Sequence, residues 1–169
     1  MSTGICVTSM GSPVGELLLA FNDGNLCALH FVDGTTSVWP VIARRFGPDA
    51  EVTELRGGHE TVDALRAYFA GQVGALAAVK VDAAGTPFQQ RVWRELRKVA
   101  PGRTASYSQI AKRAAAPSAV RAVARANATN PIGIVIPCHR IIGADGALRG
   151  YGGGVERKKW LLEHEARCA

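Results

Sequence analysis

The sequence predicts two domains of different class: an α/β first half built on a small antiparallel sheet, and a mostly helical second half. Three observations support this division. Residues 5–32 read as short apolar strands separated by turns, and the chain after Thr86 reads as a series of capped helices. The charge balance also reverses, since residues 1–85 carry 5 basic and 9 acidic side chains and residues 86–169 carry 15 and 5. We therefore predict domains of residues 1–85 and 86–169.

The first half begins with a predicted hairpin. Apolar strands over 16–22 and 26–32 flank the stretch Asn22-Asp23-Gly24-Asn25, in which Asp-Gly tolerates the positive φ of a tight turn. Apolar spacing and capping residues predict helices further along. The remaining predicted elements are helices over 37–46, capped by Ser37, and 61–70, and a last strand at Val79 and Val81.

The second half is predicted to contain a helix-turn-helix. Thr86 caps a first helix, with Pro87 in its first position. Ser106 then caps a helix over 107–115, and Ser118 caps another that reaches about Asn127. Two short helices across a tight turn are typical of this DNA-binding motif. A last helix is predicted over 155–166.

Composition limits the possible functions. The net charges of −4 and +10 in the two halves favour a polyanionic partner for the second half, although a solvated basic surface would look the same. The four cysteines form no C-x-x-C pair, which favours free thiols in a reducing compartment. No stretch is apolar enough to span a membrane, and no secretory pattern is seen, so we expect a cytoplasmic protein.

The stretch Ile-Pro-Cys-His-Arg at 136–140 carries the clearest chemical signal. A thiolate is a strong, soft nucleophile, but a free cysteine has a pKa near ~8.5 and needs a neighbouring base or cation. His139 and Arg140 are adjacent to Cys138, and Pro137 stiffens the approach to it. Neighbours in a strand point to opposite faces, so Cys138 and His139 cooperate only through a turn or a bridging water. A buried structural cysteine beside a core histidine is the alternative.

A series of motifs continues this signal through the second half. They are Thr-Pro-Phe-Gln-Gln-Arg-Val-Trp at 86–93, Ser-Tyr-Ser-Gln-Ile-Ala at 106–111, Ala-Val-Arg-Ala-Val-Ala-Arg-Ala-Asn at 119–127, Asn-Pro at 130–131, Ile-Pro-Cys-His-Arg-Ile-Ile-Gly at 136–143, Gly-Tyr-Gly-Gly-Gly at 150–154 and Lys-Trp-Leu-Leu-Glu-His-Glu at 159–165. In order and spacing they resemble the O(6)-alkylguanine–DNA alkyltransferase family, also called methylated-DNA–protein-cysteine methyltransferases. The first half resembles it loosely, at 12–15 and 29–31.

The resemblance implies a DNA-repair reaction with one turnover per molecule. The alkyl group on O6 of guanine, or on O4 of thymine, would move irreversibly to Cys138, without a cofactor. His139 resembles the base that takes the thiol proton through a water, and Glu165 the carboxylate that orients it. Tyr107 resembles the hydroxyl that contacts guanine N3 and donates a proton to the leaving base. The resemblance also implies a ribonuclease-H-like first domain.

The remaining site residues are likewise implied by the resemblance. Arg121 would fill the gap left by a guanine flipped out of double-stranded DNA, with its helix in the minor groove. The other DNA-binding candidates are Ser118, Ala119, Ala122, Arg125 and Ala126. The substrate pocket would be formed by Tyr151, Gly152, Gly153 and Ile141. Some relatives carry Ser where this chain has Gly152, so any side-chain contact is lost there. Asn130 and Pro137 would support the active-site segment.

Several alternatives stay open. A helix-turn-helix protein without chemistry is disfavoured by the presence of Cys138, and a cysteine hydrolase would turn over many times. A regulator that signals by its own alkylation would usually carry a further cysteine-rich domain. A zinc set of Cys6, Cys27, His30 and His59 lacks tight ligand spacing, so we predict no metal. We expect a monomer, and cooperative binding along DNA is an open possibility.

Overall fold

The computed structural model describes residues 4–169, so residues 1–3 of the predicted first domain lie outside it. The first half folds into a four-stranded sheet with two helices. Its elements in chain order are β1 (Ile5–Met10), β2 (Leu17–Asn22), β3 (Asn25–Phe31), α1 (Val38–Phe46), β4 (Val52–Glu54), α2 (Glu60–Phe69) and a 3₁₀ turn (Ala75–Ala78).

The sheet is mixed, with the strand order β3-β2-β1-β4. The neighbours β1/β2 and β2/β3 are antiparallel, and the β2–β3 turn has positive φ at both Asp23 (48°) and Gly24 (82°), as the sequence predicts. Strand β4 is parallel to β1, so the prediction of a purely antiparallel sheet is wrong at this strand. The crossover through α1 returns the chain in the same direction, which a tight hairpin does not do.

The prediction of a strand at Val79 and Val81 is wrong. The chain forms the 3₁₀ turn just before it, and Val81 makes only an isolated parallel bridge with Leu26. The hydrogen bonds of Leu26 to Lys80 and Asp82 hold this segment at the edge of the sheet. The apolar alternation instead reflects burial of Val79 in the core.

The second half is mostly helical, as predicted. Its elements are α3 (Pro87–Arg97), β5 (Ala105–Ser106), α4 (Tyr107–Arg113), α5 (Val120–Ala128), a 3₁₀ turn (Cys138–Arg140), β6 (Ile141–Ile142) and α6 (Val155–Cys168). Thr86 and Ser106 each close a reciprocal capping box with the Gln three residues later. Ser118 does not cap α5: the capping position is Ala119, and no side chain caps there. Helix α5 therefore begins one residue later than the sequence predicted, after Ala119 instead of after Ser118.

Both halves share one hydrophobic core. Leu29 of β3 bridges to Ile132, with backbone hydrogen bonds from Leu29 N to Pro131 O (2.9 Å) and from Gly133 N to Leu29 O (3.0 Å). Buried side chains from both sides, including Leu29, Leu65 and Ile132, belong to a single cluster. The segment that leads to Cys138 is therefore built directly on a strand of the first half.

The two serines give a test of helix capping. Ser106→Ala removes the acceptor for the Gln109 amide, so the free energy of unfolding should fall by about 1 kcal/mol. Ser118→Ala should change it by less than ~0.5 kcal/mol, because Ser118 is exposed and caps nothing. Urea unfolding of both variants measures this. Equal losses would contradict the placement of the caps.

Candidate active site

Cys138 lies on a tight turn that one asparagine holds in shape. Asn130 donates from Nδ2 to Ile136 O (2.8 Å) and accepts at Oδ1 from Ile132 N (2.9 Å), closing the loop between them. Within this loop Ile134 has φ of 66°, a conformation that costs a β-branched residue roughly 1–3 kcal/mol. Pro137 then leads into the 3₁₀ turn Cys138–Arg140. Cys138 and His139 therefore lie on a turn and not in a strand, as their cooperation requires.

His139 and Glu165 form a buried pair behind the thiol. His139 Nε2 lies 2.7 Å from Glu165 Oε1, and both side chains are fully buried. A carboxylate only accepts, so Nε2 carries the proton and donates. In the neutral imidazole this leaves Nδ1 with a free lone pair. Nδ1 is buried and has no hydrogen-bond partner among the residues described. The ring therefore has an unused basic nitrogen in the protein interior.

Arg140 neutralises Glu165 rather than assisting the thiol. Its Nε donates to Glu165 Oε2 (2.9 Å) and its Nη2 to Oε1 (2.9 Å), while Nη1 donates to Val99 O (2.6 Å). This forked contact is the strong, geometrically specific form of an ion pair. The sequence suggested Arg140 as a cation for the thiol, and the structure assigns it to the carboxylate.

Burial and charge set the resting protonation states. Burial raises the pKa of the Cys138 thiol and lowers the pKa of His139, which the Glu165 carboxylate opposes. Burial alone would raise the pKa of Glu165, but hydrogen bonds from His139 and Arg140 outweigh it and hold that pKa well below its ordinary value. At neutral pH the site therefore contains a thiol, a neutral imidazole and a carboxylate. The thiol loses its proton only if the imidazole takes it up.

Lys158 is a buried cation near the thiol that sequence reasoning missed. Its side chain is fully buried, and Nζ donates to Arg149 O (2.7 Å). The ammonium lowers the pKa of Cys138 against the effect of burial. The available signal was helical spacing, since Lys158, Leu161 and Glu165 recur on one face of α6. A lysine on the buried stripe of a helix indicates a partner in the interior.

A cavity of about 630 Å³ opens onto Cys138. Its walls include the predicted residues Tyr107, Arg121, Asn130, Tyr151, Gly152 and Gly153. Strand β3 and the loop after it supply a further wall that the sequence did not indicate: Leu29, His30, Phe31, Thr35 and Thr36. His139 and Glu165 do not line the cavity and lie behind the thiol. The arrangement presents one sulfur nucleophile to a space large enough for a nucleobase.

The glycine-rich loop at 150–154 is tied to the first half. Thr35 donates from both N (3.2 Å) and Oγ1 (3.1 Å) to Gly152 O. Arg157 Nη1 donates to Gly153 O (3.2 Å), and the same guanidinium lies 4.5 Å from the centre of the Phe31 ring and bonds Asp33. A side chain at Gly153 would collide with the Phe31 ring. The loop is thus a wall of defined shape.

Comparison with known proteins decides the family. The sequence model described as "6-O-methylguanine DNA methyltransferase, ribonuclease-like domain" matches residues 5–83, and that of the DNA binding domain of the same proteins matches residues 87–167. The chain belongs to the 6-O-methylguanine DNA methyltransferase family. The resemblance in the motifs and the predicted fold class, with its helix-turn-helix, are thereby confirmed.

Individual relatives of this methyltransferase family extend over most of the chain. A methylated-DNA–protein-cysteine methyltransferase of Mycobacterium leprae is 46% identical over 157 residues, covering 93% of this chain and 90% of the relative. The crystal structure of Mycobacterium tuberculosis OGT in complex with DNA superposes with a TM-score of 0.82 at 42% identity, covering 97% and 94%. The archaeal methyltransferase of Pyrococcus kodakaraensis gives a TM-score of 0.66 at 25% identity, covering 95% and 98%.

Two of the expected family positions are corrected by the structure. Ala126 is only 2% exposed, so its side chain is not available to DNA, and its backbone carbonyl accepts from Trp93 Nε1 (2.9 Å). Ile141 is fully buried in β6, paired with Ala105, and lies outside the cavity. In each case the side chain is buried in the hydrophobic core. Arg121, Ser118, Ala122 and Arg125 are exposed, and Ala119 is half-buried.

The two histidines of the considered zinc set make other contacts. His59 caps α2 and packs on Phe21, and His30 Nδ1 bonds Thr36 Oγ1 (2.7 Å). Within residues 4–169, no three His, Cys, Asp or Glu side chains are grouped as a metal would require. The cysteines at 6, 27, 138 and 168 are free thiols. No helix in the same range is long and apolar enough to cross a membrane.

The buried Glu165 predicts an acid-dependent stability difference. Because its folded pKa is depressed, its contribution is present above the unfolded value of about 4.3 and is lost as the pH falls through the folded pKa. Glu165→Gln should therefore lower the free energy of unfolding by about 3 kcal/mol at pH 7, and the difference should shrink below about pH 4.

Urea unfolding between pH 7 and pH 3 measures this, with the exposed Glu163→Gln on the same helix as the control. The control should differ from the wild-type protein by less than ~0.5 kcal/mol. A Glu165→Gln difference that stays constant with pH would contradict the depressed pKa.

Proposed function

We propose that this protein repairs double-stranded DNA containing alkylated guanine by transferring the alkyl group from O6 to Sγ of Cys138, once per molecule. The general activity, methyl transfer from DNA to a protein cysteine, follows from membership of the family. The observation that carries the assignment to Cys138 is that its thiol meets the cavity while a histidine–carboxylate pair is buried behind it. Cys6, Cys27 and Cys168 do not line that cavity.

In this reaction the Cys138 proton passes to His139 Nδ1, directly or through a water, as the sulfur attacks. A new S–C bond forms, the C–O6 bond breaks, and its electron pair stays on the guanine. Glu165 stabilises the imidazolium that results. The thioether product is not converted back to the thiol, because water does not readily displace a thiolate from an unactivated alkyl carbon. The alkyl group arrives activated on the substrate, so the transfer needs no cofactor. O4-alkylthymine presents the same alkyl–oxygen bond and is a second substrate of the same type.

Tyr107 is suited to protonate the departing guanine. It is the first residue of α4, lies half-buried in the wall of the cavity, and follows the Ser106 cap that fixes its position. Burial raises the pKa of its hydroxyl, and the nearby Cys138 raises it further. The hydroxyl therefore keeps its proton at neutral pH and donates it to guanine N3, where negative charge develops as the base leaves. The proton that His139 received returns through solvent to the Tyr107 phenolate, so that the thiol proton ends on the guanine.

Helix α5 is the proposed DNA-contacting element. Arg121 is exposed on α5 at the mouth of the cavity, and the second half has a net charge of +10. The target atom cannot be reached inside a stacked duplex, so the guanine must rotate out. Arg121 would occupy the vacated space from the minor groove, with Ser118, Ala119, Ala122 and Arg125 beside it. That a relative has been crystallised with DNA supports this interface.

The broader organisation follows the same proposal. Residues 86–169 form the DNA-binding and alkyl-accepting domain, and residues 1–85 form the supporting domain. The protein acts as a monomer, because the cavity, Cys138 and the DNA-contacting helix all lie on the same chain. Its free cysteines fit the reducing conditions of the cytoplasm.

Stoichiometric labelling tests the acceptor. After incubation with duplex DNA containing O6-methylguanine, peptide mass spectrometry should find one methyl group per protein, on Cys138. Cys138→Ser should lose transfer and retain DNA binding, because the exposed face of α5 is unchanged. A methyl group on Cys6, Cys27 or Cys168 would exclude the assignment, and more than one equivalent of repaired DNA per protein would favour a hydrolase.

The role of Arg121 is tested by comparing two substrates. Arg121→Ala should slow transfer from duplex DNA at least about tenfold, since extrusion of a base costs a few kcal/mol and 1.4 kcal/mol corresponds to a tenfold change. Transfer from free O6-benzylguanine, which needs no extrusion, should change less than about twofold if the cavity admits the benzyl group. Single-turnover rates give both values, one measured at saturating duplex DNA and the other with free O6-benzylguanine.

Arg125→Ala is the matched control, because Arg125 is exposed on the same helix but does not line the cavity. It should weaken DNA binding in a salt-dependent manner without reducing the maximal rate. Equal slowing of both substrates by Arg121→Ala would instead assign that residue to support of the active site.

A further inference from the structure

The carboxylate of Glu165 has a partner in the first half of the chain. Tyr68, on α2, is fully buried, and its hydroxyl donates to Glu165 Oε1 at 2.7 Å. The same oxygen accepts from His139 Nε2 at 2.7 Å and from Arg140 Nη2 at 2.9 Å. Three donors therefore share one carboxylate oxygen, and one of them comes from outside the alkyl-accepting half.

We propose that Tyr68 is a positioning residue of the transfer reaction, which acts on His139 through the carboxylate oxygen that both side chains share. This inference rests on the proposed function, in which His139 receives the thiol proton. Through Tyr68, the first half of the chain would influence the reaction as well as support the second half.

Two consecutive residues of α6 hold this tyrosine at both ends. His164 Nε2 lies 2.7 Å from the backbone carbonyl of Tyr68, and Glu165 binds its hydroxyl. The Tyr68 ring packs edge-on against Phe69 and His164, with ring centres 5.1 and 5.3 Å apart. A buried ring fixed by its carbonyl, its edges and its hydroxyl has little freedom to rotate. The direction from which the hydroxyl approaches Oε1 is therefore set by the fold.

The hydroxyl remains a donor at all working pH values. Burial raises the pKa of Tyr68 far above its ordinary value, and the adjacent Glu165 charge raises it further. Tyr68 therefore withdraws part of the carboxylate charge that would otherwise stabilise an imidazolium at His139. The remaining groups around His139 come from its own turn, from α6 and from the glycine-rich loop: Cys138, Arg140, Lys158, Glu165 and Tyr151.

The sign of the effect follows from this geometry. Burial, Arg140 and Lys158 lower the pKa of His139, and Glu165 raises it. Without the Tyr68 hydroxyl, Glu165 holds an imidazolium more strongly, so His139 becomes protonated at a higher pH. A protonated His139 cannot accept the Cys138 proton. Tyr68 thus keeps the base neutral at the lower end of the working pH range.

The test is Tyr68→Phe, which removes the hydroxyl and keeps the ring. The pKa of His139, read from its imidazole NMR signals, should rise by about one unit, and the acid limb of the single-turnover rate on methylated duplex DNA should move up by the same amount. The rate on the alkaline plateau should change by less than about threefold, which corresponds to ~0.7 kcal/mol, because Cys138, His139 and Glu165 are all retained. Leu65→Ala is the control, because it creates a cavity on the same buried face of α2 and removes no hydrogen bond of Glu165.

The outcomes separate the role of Tyr68 from the proposed transfer to Cys138. Leu65→Ala should lower the melting temperature and leave both pH midpoints in place, whereas Tyr68→Phe should move both. An unmoved or lowered His139 pKa in Tyr68→Phe, or the same shift in Leu65→Ala, would overturn the role of Tyr68 while transfer to Cys138 stands. If the wild-type protein placed no methyl group on Cys138, the proposed function would fail, and this inference with it.

Discussion

A carboxylate with no access to solvent must find all its partners within the protein, and Glu165 is such a group. Removing its charge from water costs several kcal/mol, which only well-placed donors offset. The donors are Tyr68 from α2 and His139 and Arg140 from the turn after Pro137. They meet at α6, the helix that carries Glu165. Three segments distant in sequence must therefore dock correctly for any one of them to be stable. The site and the fold are in this sense stabilised by the same contacts.

The same buried environment controls the nucleophile. Cys138 is 8% exposed, and burial disfavours its thiolate more than Lys158 and the nearby amides favour it. A thiol that stays protonated at rest reacts slowly with oxidants, because the thiolate is the reactive form. In the proposed reaction, reactivity depends on a substrate that fills the cavity and on a neutral His139 that accepts the proton. For a protein that reacts once, this restraint preserves the thiol for its substrate.

The sequence was most informative where function or capping is local. The Ile-Pro-Cys-His-Arg stretch and the motifs around it predicted the family, which the comparisons confirm, and made Cys138 the candidate acceptor. Thr86 and Ser106 marked two helix starts that the structure confirms. It was weaker where the partner lies far along the chain. The parallel pairing of β4, the first-half wall of the cavity and the contact of Tyr68 with Glu165, 97 residues away, have no local signature.

Two errors on α5 and β6 have a different physical origin. Ala126 and Ile141 were assigned by their place in a motif, but helical phase places the first on the buried face of α5 and strand pairing buries the second. A motif gives the order of residues and not the direction in which each side chain points. Burial on a short helix changes from one residue to the next, as the neighbours Arg125 and Ala126 show.

The bridge between Leu29 and Ile132 also bears on how the protein matures on the ribosome. The strand β3 is synthesised about one hundred residues before the segment that pairs with it, and its edge amide and carbonyl stay unpaired until that segment arrives. Pairings of such long sequence separation form late in folding. The turn bearing Cys138 is built on this pairing, and Glu165 lies nearer still to the C-terminus. A nascent chain therefore forms the contact of His139 with Glu165 only after Glu165 has been translated, more than one hundred residues after β3.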